Sequence, residues 1–385
     1  RVSMQLSRLM PSKSKSKILI YLFGSLGDTL VAIPAMRAVR RHFHDAELIV
    51  LQNIHSSENI VKTEQVIPEE LVDGYIGYET QPGILGKFIN FYRLWRDLRR
   101  NDFQAAVYLV ISERPERSVR RDKIFFRLCG IRRLIGFHSF SEEQLYPRDS
   151  RRRPALTENE AVRKLKRLQI DGIEILPEDD LQLPLLKFSK GEVETVKKKL
   201  ANRRKKADSR LISIAPGCKT EANIWSLENF IEIGRRLLNE GNYEVVIVGG
   251  KAEYAAGEKM ISSMDGGINT AGEFSVHESG ALLSLCDFHI GLDTGTTHLA
   301  AMVGTPCFAL YGERNNPGHW FPLGDGHTIV FHPVKCAGCR LQACSLLDHP
   351  CMTEINVESV WRHLQDFIRN QKRSKNASEI NVIAV

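Results

Sequence analysis

The feature that most constrains the fold is a unit at residues 288–311, in which a polar turn lies between apolar segments. Phe288-His-Ile-Gly291 has the pattern of a short strand that ends at a glycine, and Cys307 to Tyr311 that of a second buried strand. Between them, the Ala-rich segment from Leu299 to Val303 is typical of a buried helix that stops at Gly304-Thr-Pro306. This order predicts parallel strands joined by a helical crossover, which is the unit of an α/β fold.

The turn of this unit is crowded with small or hydrogen-bonding residues. They are Asp293, Thr294, Gly295, Thr296, Thr297 and His298. Ligands bind to open parallel sheets at the carboxyl ends of the strands, and free N–H groups at the start of a helix suit a phosphate or diphosphate. A simple helix cap needs only one such residue. We therefore favour a ligand site over a cap as the interpretation of this turn.

Length and composition limit the class of protein. At 385 residues the chain exceeds one ordinary core, so two domains are expected. No apolar run approaches the roughly 20 residues that a membrane-spanning helix needs. The first apolar run, Ile18 to Phe23, is too short for a signal-peptide core and has no cleavage pattern, which favours a first strand. A cytoplasmic location with reduced cysteines is the expectation.

The net charge of +7 is modest and comes from scattered basic clusters, such as the one from Arg114 to Lys123. Solvated faces are the first interpretation, and adhesion to an anionic membrane surface or to a phosphorylated acceptor is the alternative. The segment from Ile84 to Asn101 predicts an amphipathic helix rich in aromatic residues and arginine. Because no RNA-binding motif interleaves aromatic with basic residues, no nucleic-acid partner is expected.

Strand and helix patterns alternate on both sides of a proline-containing segment at Pro177 to Ser189, which we interpret as an interdomain linker. The similar rhythm of both halves predicts two similar domains. The predicted parts are a flexible tail at 1–15, a Rossmann-like domain at 16–180, a second Rossmann-like domain at 190–355, a C-terminal helix at 356–370 and a flexible tail at 371–385.

A second glycine turn follows the first predicted strand. Lys17 to Phe23 is a continuous apolar run, as in a parallel strand buried on both faces, and Gly24-Ser-Leu-Gly-Asp28 is a tight turn. Thr29 to Phe43 then has helical spacing. The pattern lacks the third glycine of a dinucleotide fingerprint, so it is a weak nucleotide motif. From the residues alone, Asp28 is either a helix cap or a base.

Five motifs occur in the order that a known family has. They are Gly24-Ser-Leu-Gly-Asp28, Ala215-Pro-Gly217 with Trp225, Val248-Gly-Gly250, Asp293-Thr-Gly-Thr-Thr-His298 with Gly304-Thr-Pro306, and Trp320-Phe-Pro322. With them the chain resembles glycosyltransferase family nine, the ADP-heptose:lipopolysaccharide heptosyltransferases and their relatives, over roughly residues 16–365. The resemblance implies a GT-B architecture, in which two Rossmann-like domains face each other across a cleft. The N-terminal domain would bind the acceptor and the C-terminal domain the donor.

The resemblance also implies an inverting, metal-independent transferase that needs no cofactor for catalysis. Its partners would be a nucleotide-diphospho-sugar, with ADP-heptose as the first choice, and a lipopolysaccharide core or related surface glycan. Peripheral contact with the cytoplasmic face of the inner membrane is part of this expectation. The alternatives are a catalytically inactive nucleotide-sugar-binding protein and a family member that uses another donor sugar. A Rossmann dehydrogenase is disfavoured by the incomplete glycine fingerprint.

The resemblance assigns roles to individual residues. Asp28 would be the base that takes the proton of the acceptor hydroxyl, with Gly27 beside it on the acceptor side. Asp293 would hold sugar hydroxyls, and the N–H groups and hydroxyls of the turn from Thr294 to Thr297 would stabilise the leaving diphosphate. His298 either contacts the diphosphate or holds the turn.

One position departs from the family pattern. Asn223 stands where many members have a lysine beside the phosphates, and Lys219 in the same loop is the candidate replacement. Gly250 ends the next predicted strand. Glu253 after it would bind the ribose hydroxyls, or else it is a first-turn glutamate favoured by the helix dipole.

Two further groups of residues carry open alternatives. In the predicted acceptor domain, Arg117 and Arg120, with Arg114 and Arg121, would meet phosphates or carboxylates of the acceptor, or they are surface charge. The second group is four cysteines whose spacing resembles a metal knuckle only in part, namely Cys336, Cys339, Cys344 and Cys351. A structural zinc ion, free thiols and a locally oxidised loop are the alternatives for them.

Overall fold

A computed structural model describes residues 15–54, 61–79, 84–205, 208–373 and 380–385. Its first half contains a five-stranded parallel sheet with the strand order β3-β2-β1-β4-β5. The strands are β1 (Lys17–Tyr21), β2 (Glu47–Ile54), β3 (Gly74–Glu79), β4 (Ala105–Tyr108) and β5 (Arg133–Ile135). Successive residues of β1 enter different cores on the two faces of the sheet, as expected for a fully buried strand.

The second half contains a seven-stranded parallel sheet with the order β12-β11-β10-β9-β6-β7-β8. The strands are β6 (Arg210–Ile214), β7 (Tyr243–Ile247), β8 (Ile268–Asn269), β9 (Phe288–Leu292), β10 (Cys307–Leu310), β11 (Thr328–Phe331) and β12 (Asn381–Ala384). The five strands that come first along the chain, β6 to β10, have the order β8-β7-β6-β9-β10, which is the same arrangement as β3-β2-β1-β4-β5 in the first sheet. The prediction of an α/β protein with two Rossmann-like halves is therefore confirmed.

The helices that cover the first sheet and lead into the linker are α1 (Leu26–Leu30), α2 (Ile33–His42), α3 (Ile84–Arg100), α4 (Glu116–Leu128), α5 (Glu142–Leu145), α6 (Glu160–Ile170) and α7 (Pro177–Asp180). The second half adds α8 (Lys190–Ala201), α9 (Leu227–Asn239), α10 (Tyr254–Met264), α11 (Val276–Ser284), α12 (Gly295–Met302), α13 (Pro350–Thr353) and α14 (Val357–Arg373). Within the described ranges, none of these helices is both long and apolar enough to span a bilayer.

Two expectations are corrected. The predicted helix from Thr29 to Phe43 is two helices, α1 and α2, because Pro34 has no N–H to continue the ladder of the preceding turn. The tail predicted at 371–385 is wrong for its last residues. There β12 pairs in parallel with β11, and its apolar Val382 and Ile383 extend the sheet. Residues 1–14 of the predicted N-terminal tail lie outside the described ranges.

The two halves are tied together by main-chain and side-chain hydrogen bonds. The N–H groups of Leu185 and Leu186 in the predicted linker donate to the carbonyl of Met302 at 2.8 and 3.1 Å. From the second half, Asn316 donates to the carbonyls of Pro147 and Ala155 at 2.7 and 3.0 Å. These contacts fix how the carboxyl edges of the two sheets lie relative to each other.

Helix α6 carries four buried charged side chains, which are Glu160, Arg163, Lys164 and Arg167. Lys164 Nζ lies 3.0 Å from Glu160 Oε1 and donates to the carbonyl of Leu109, while Arg167 donates to the carbonyl of Val110. These two side chains thereby provide hydrogen-bond donors for the main-chain carbonyl groups just beyond β4. His319, from the second half, hydrogen-bonds Glu160 at 3.0 Å. Burial alone would raise the pKa of Glu160, but Lys164 and His319 hold that pKa below its ordinary value.

Candidate active site

The glycine turn after β1 holds the carboxylate of Asp28 in a fixed position. Asp28 lies in the first turn of α1, is half-buried, and accepts a hydrogen bond from the N–H of Ser25 at 2.5 Å. Gly24 has φ +145°, and a Cβ at this residue would collide with the Asp28 carboxylate. Glycine is therefore required for the carboxylate to fold back over the turn.

The polar turn after β9 opens helix α12. Thr294 is its N-cap, and the first N–H groups of any helix have no partner within the helix. The structure uses Thr297 differently from the other polar residues: its buried hydroxyl donates to the carbonyl of Leu292 at 2.6 Å. That hydroxyl holds the turn, so only the main chain of Thr297 can serve a ligand. Thr296 is half-buried at the same helix start.

The two turns lie against each other across the boundary between the halves. A Cβ on Gly27 would lie 3.3 Å from Cδ2 of His298, and one on Gly295 would lie 3.0 Å from the Leu26 side chain. Because both positions are glycine, α1 and α12 can approach this closely. The turns that carry Asp28 and Asp293 therefore form one region of the molecule, as the sequence predicts.

Asp293 lines a cavity of about 400 Å³ that is partly open to solvent. The other lining residues include Tyr311, Asn316 and Trp320; Asp28 is not among them. Asn223 Nδ2 donates to Asp293 Oδ2 at 3.2 Å. Burial raises the pKa of Asp293 to about 6, and Arg314 is the strongest of the groups that counter this rise.

Three polar atoms at this place are buried without a hydrogen-bond partner among the described residues. They are Asn223 Oδ1, Thr294 Oγ1 and His298 Nδ1. A buried polar atom without a partner costs about 1–3 kcal/mol, so it marks a place where another molecule binds or the chain is strained. Burial lowers the pKa of His298 to about 4, so its ring is neutral near pH 7 and can donate one N–H. The cluster indicates a polar ligand.

The predicted ribose ligand, Glu253, bridges two strand ends. Its Oε2 accepts from the N–H of Gly250 at 2.7 Å, and its side chain packs so closely on Gly217 that a Cβ there would overlap it. Glu253 thus lies between the loops that follow β6 and β7. Lys219, the predicted replacement cation, is exposed, and no hydrogen bond or ion pair of its side chain is found among the described residues.

The predicted acceptor arginines differ in where they lie. Arg117 and Arg120 are exposed on α4. Arg114 instead turns inward: its guanidinium lies 4.8 Å from the ring centre of Phe23 and 3.4 Å from Asp122, and its Nε is buried without a partner among the described residues. Arg114 is therefore the arginine of this group next to the glycine turn. The acceptor roles of Arg117 and Arg120 stay predictions.

None of the four C-terminal cysteines forms a disulfide bond in the structure. Cys336 and Cys339 are exposed, Cys344 is half-buried, and Cys351 is buried, which raises its pKa to about 11. Among the described residues, no group of three or more His, Cys, Asp or Glu side chains is arranged to hold a metal ion. The structural zinc ion stays a prediction.

Sequence reasoning missed two residues that act on Asp293. The sequence marks Asn223 only as a departure from a lysine, yet in the structure it is the hydrogen-bond partner of Asp293. Arg314 was not singled out. It follows β10, so the same reasoning about strand ends that selected residues 293–298 would have selected it.

Two Rossmann-like halves whose strand ends meet at a polar region form the GT-B fold, which the similar solved structures share. The motif order predicted one family within this class. The chain belongs to glycosyltransferase family 9 (heptosyltransferase), since the sequence model of that family matches residues 91–349, more than half of the chain. The predicted family and the prediction that the chain is a glycosyltransferase are confirmed.

Similar proteins match along most of their length. Lipopolysaccharide heptosyltransferase 2 of Salmonella typhimurium is 24% identical over 335 residues, which cover 83% of this chain and 90% of the relative. Lipooligosaccharide heptosyltransferase 2 of Campylobacter jejuni is 22% identical over 364 residues, which cover 92% and 99%. The structure of the ADP-heptose lipopolysaccharide heptosyltransferase II of Escherichia coli has 18% identity and a TM-score of 0.65, covering 92% of this chain and 99% of its own. A family 9 glycosyl transferase from Veillonella parvula has 16% identity and a TM-score of 0.69, with 92% and 98% covered.

Proposed function

We propose that the chain transfers heptose from ADP-heptose to a lipopolysaccharide core, with inversion at the anomeric carbon and without a metal ion. The names of the similar transferases support the donor and acceptor classes. The observation that carries the proposal is the contact between the two turns. The first has a held carboxylate, and the second, with Asn223 beside it, has three buried polar atoms without a partner among the described residues. A cytoplasmic location belongs to the same proposal.

The reaction begins with Asp28 as the base. Its carboxylate takes the proton of the acceptor hydroxyl while the hydroxyl oxygen attacks the anomeric carbon of the donor. The bond from that carbon to the diphosphate oxygen breaks on the opposite face, so the configuration inverts through an oxocarbenium-like transition state. The bonding electron pair leaves with the diphosphate, which is the group that then needs stabilisation.

The second turn supplies that stabilisation. The N–H groups at the start of α12 and the hydroxyls of Thr294 and Thr296 donate to the diphosphate, and the N-terminal end of the helix dipole favours its negative charge. His298 is neutral and donates a further hydrogen bond. Asn223 is uncharged and hydrogen-bonded to Asp293, so another residue supplies the positive charge beside the diphosphate. We assign this role to Arg314, whose charge acts on the neighbouring Asp293.

Turnover with defined substrates tests the proposal. The purified chain is given ADP-heptose and a lipopolysaccharide-core acceptor, with and without a chelator, and the anomeric configuration of the product is read by NMR. We expect an inverted product and a chelator-independent rate. Asp28→Asn should lower kcat by about 10²–10⁴-fold, whereas Asp45→Asn, an exposed carboxylate of the same half, should not. A retained configuration or an unchanged rate for Asp28→Asn would overturn the mechanism.

Two alternatives are separated by a panel of nucleotide-diphospho-sugars. Each sugar is tested for thermal stabilisation, because a ligand at about 100 times its Kd adds roughly 2.7 kcal/mol to stability. A different sugar with a larger shift and turnover would identify another donor. Binding without turnover for every donor and acceptor would favour an inactive binding protein.

A further inference from the structure

The outer side of α3 and α4 exposes an apolar surface, which we call the α3–α4 face. Helix α3 contributes Phe88, Ile89, Phe91 and Tyr92, and α4 contributes Ile124 and Leu128. These six side chains are 45–70% exposed. Single exposed apolar residues are ordinary, but neighbouring large ones on two adjacent helices mark a surface that another body covers.

The face belongs to a firmly packed part of the molecule. The inner sides of both helices, with Leu98 and Phe126, enter the core against the first sheet. Between the helices, the rings of Phe91 and Phe125 lie 5.0 Å apart, and Trp95 Nε1 donates to the carbonyl of Leu128 at 3.0 Å. The exposed aromatics are therefore presented by two helices that hold each other in place.

The charge of these helices identifies the kind of partner. Together they carry ten Lys and Arg residues and three Asp and Glu residues, a net +7 that equals the formal net charge of the whole chain. Of the three acids, Asp122 is buried and Asp97 pairs with Arg96. The partner is therefore anionic. A second copy that presented the same face would be repelled by like charge.

We propose that the α3–α4 face docks on an anionic bilayer surface. Phe88 and Tyr92 enter the boundary between headgroups and acyl chains, and exposed arginines such as Arg93 and Arg127 meet lipid phosphates. An amphipathic helix with aromatics on one face and arginines beside them binds membranes in this way, lying in the plane of the interface. Tyrosine and tryptophan suit that boundary because one end of each ring system is polar.

The face also borders the acceptor side of the site. Arg114, two residues before α4, stacks on Phe23, which is next to Gly24 of the glycine turn. Docking here therefore brings the carboxyl edge of the first sheet close to the bilayer. The reason for docking rests on the proposed function, since a lipid-linked acceptor is presented at such a surface. Binding to the bilayer itself is measured without donor or acceptor.

Vesicle flotation tests the docking. The full chain is mixed with vesicles of phosphatidylcholine alone or of phosphatidylcholine with phosphatidylglycerol, and we expect binding to the anionic vesicles that weakens as salt rises. Phe88→Ser with Tyr92→Ser should weaken binding by about tenfold or more, because the apolar area that enters the bilayer is lost. Arg93→Glu with Arg127→Glu should abolish the preference for phosphatidylglycerol.

Matched controls change residues of the same types elsewhere. Ile170→Ser removes an apolar side chain that is 63% exposed at the end of α6, and Lys197→Glu with Lys198→Glu reverses exposed charges on α8. Both should bind anionic vesicles like the unchanged chain. Because all these positions are exposed, circular dichroism should report the same fold for every variant.

Three results would overturn the docking. The first is the absence of binding to anionic vesicles, and the second is equal binding by the α3–α4 variants. The third is self-association of the unchanged chain that disappears in Phe88→Ser with Tyr92→Ser, which would make a second copy the partner. Transfer to a soluble, lipid-free acceptor should be unchanged in these variants. If that transfer is absent even in the unchanged chain, the proposed function fails while the docking result still stands.

Discussion

The glycine turn of the first sheet and the polar turn of the second both begin where a central parallel strand ends, yet they are built differently. In the first, the one carboxylate is already held by the N–H of Ser25 over Gly24. In the second, Thr294 and His298, and beside it Asn223, each keep a buried polar atom without a partner among the described residues. In the proposed mechanism, the group that acts on a proton is therefore fixed in advance, whereas the ligand cradle is completed only by its ligand.

The largest expected effect concerns the buried charges behind the first turn. Glu160→Gln would leave Lys164 and Arg167 buried without their carboxylate, so we expect the free energy of unfolding to fall by about 3–5 kcal/mol. Denaturant unfolding measures it. Glu158→Gln, which removes an exposed partner of Lys166 two residues before the same helix, should cost at most about 1 kcal/mol. Equal losses of unfolding free energy in the two variants would show that the buried charged cluster stabilises the fold no more than an exposed ion pair does.

The same carboxylate predicts a dependence of stability on pH. Because the pKa of Glu160 is lowered in the folded chain, its contribution is fully present above its ordinary pKa and is lost as pH falls through the folded value. Stability should therefore fall in acid more steeply for the unchanged chain than for Glu160→Gln. Parallel slopes in unfolding experiments at several pH values would contradict this.

The next effect tests whether the first turn works by its geometry. Gly24→Ala would push a Cβ into the Asp28 carboxylate, and misplacing a catalytic group can cost about 10²-fold in kcat. Gly172→Ala is the matched control, because Gly172 also has positive φ (+85°) but a Cβ there meets nothing within 4 Å. If both variants lose the same activity, backbone strain rather than the position of Asp28 explains the loss.

A smaller effect tests the second turn through pH. Burial raises the pKa of Asp293 to about 6, so its carboxylate is ionised above that pH and, in the proposed mechanism, accepts sugar hydroxyls there. Below it, donor affinity should fall by up to about tenfold per pH unit. Calorimetric titration with ADP-heptose measures this dependence. Asp293→Asn should bind weakly at every pH, and a variant that keeps the same pH profile would exclude Asp293 as its source.

The smallest effect separates two candidate cations of the second turn. Arg314→Gln should weaken ADP binding by about tenfold, as expected for a lost hydrogen bond between charged groups. Lys219→Gln should change it little, since Lys219 is exposed and no hydrogen bond or ion pair of its side chain is found among the described residues. If Lys219→Gln weakened ADP binding more than Arg314→Gln, Lys219 would be the cation beside the phosphates, as the sequence predicts.

The parts of the site that the sequence could predict are local. Strand, turn and helix follow one another within some ten residues around Asp28 and around Asp293. The order of these elements can therefore be predicted from residues that are neighbours in the chain. The family resemblance implied that the two halves face each other, and the structure places Gly27 of the first turn close to His298 of the second.

The remaining features depend on residues that are distant in the chain. The partner of Asp293 is Asn223, 70 positions away, and only the folded sheet brings them together. Lys164 and Arg167 have the pattern of a solvated helix face, yet they are buried because they satisfy carbonyls beyond β4. The short apolar run of β12 looks like part of a tail in the sequence, since four residues at a sheet edge give no periodic signal.

The division of work between the two turns is tested most directly by the affinity for ADP. Isothermal titration compares the unchanged chain, Asp28→Asn, and Thr294→Val with His298→Phe. We expect Asp28→Asn to bind ADP with an unchanged Kd although its turnover is lost, and the second-turn variant to bind about tenfold or more weakly. Weakened binding by Asp28→Asn, together with an unchanged Kd for the second-turn variant, would contradict the assignment of base and cradle.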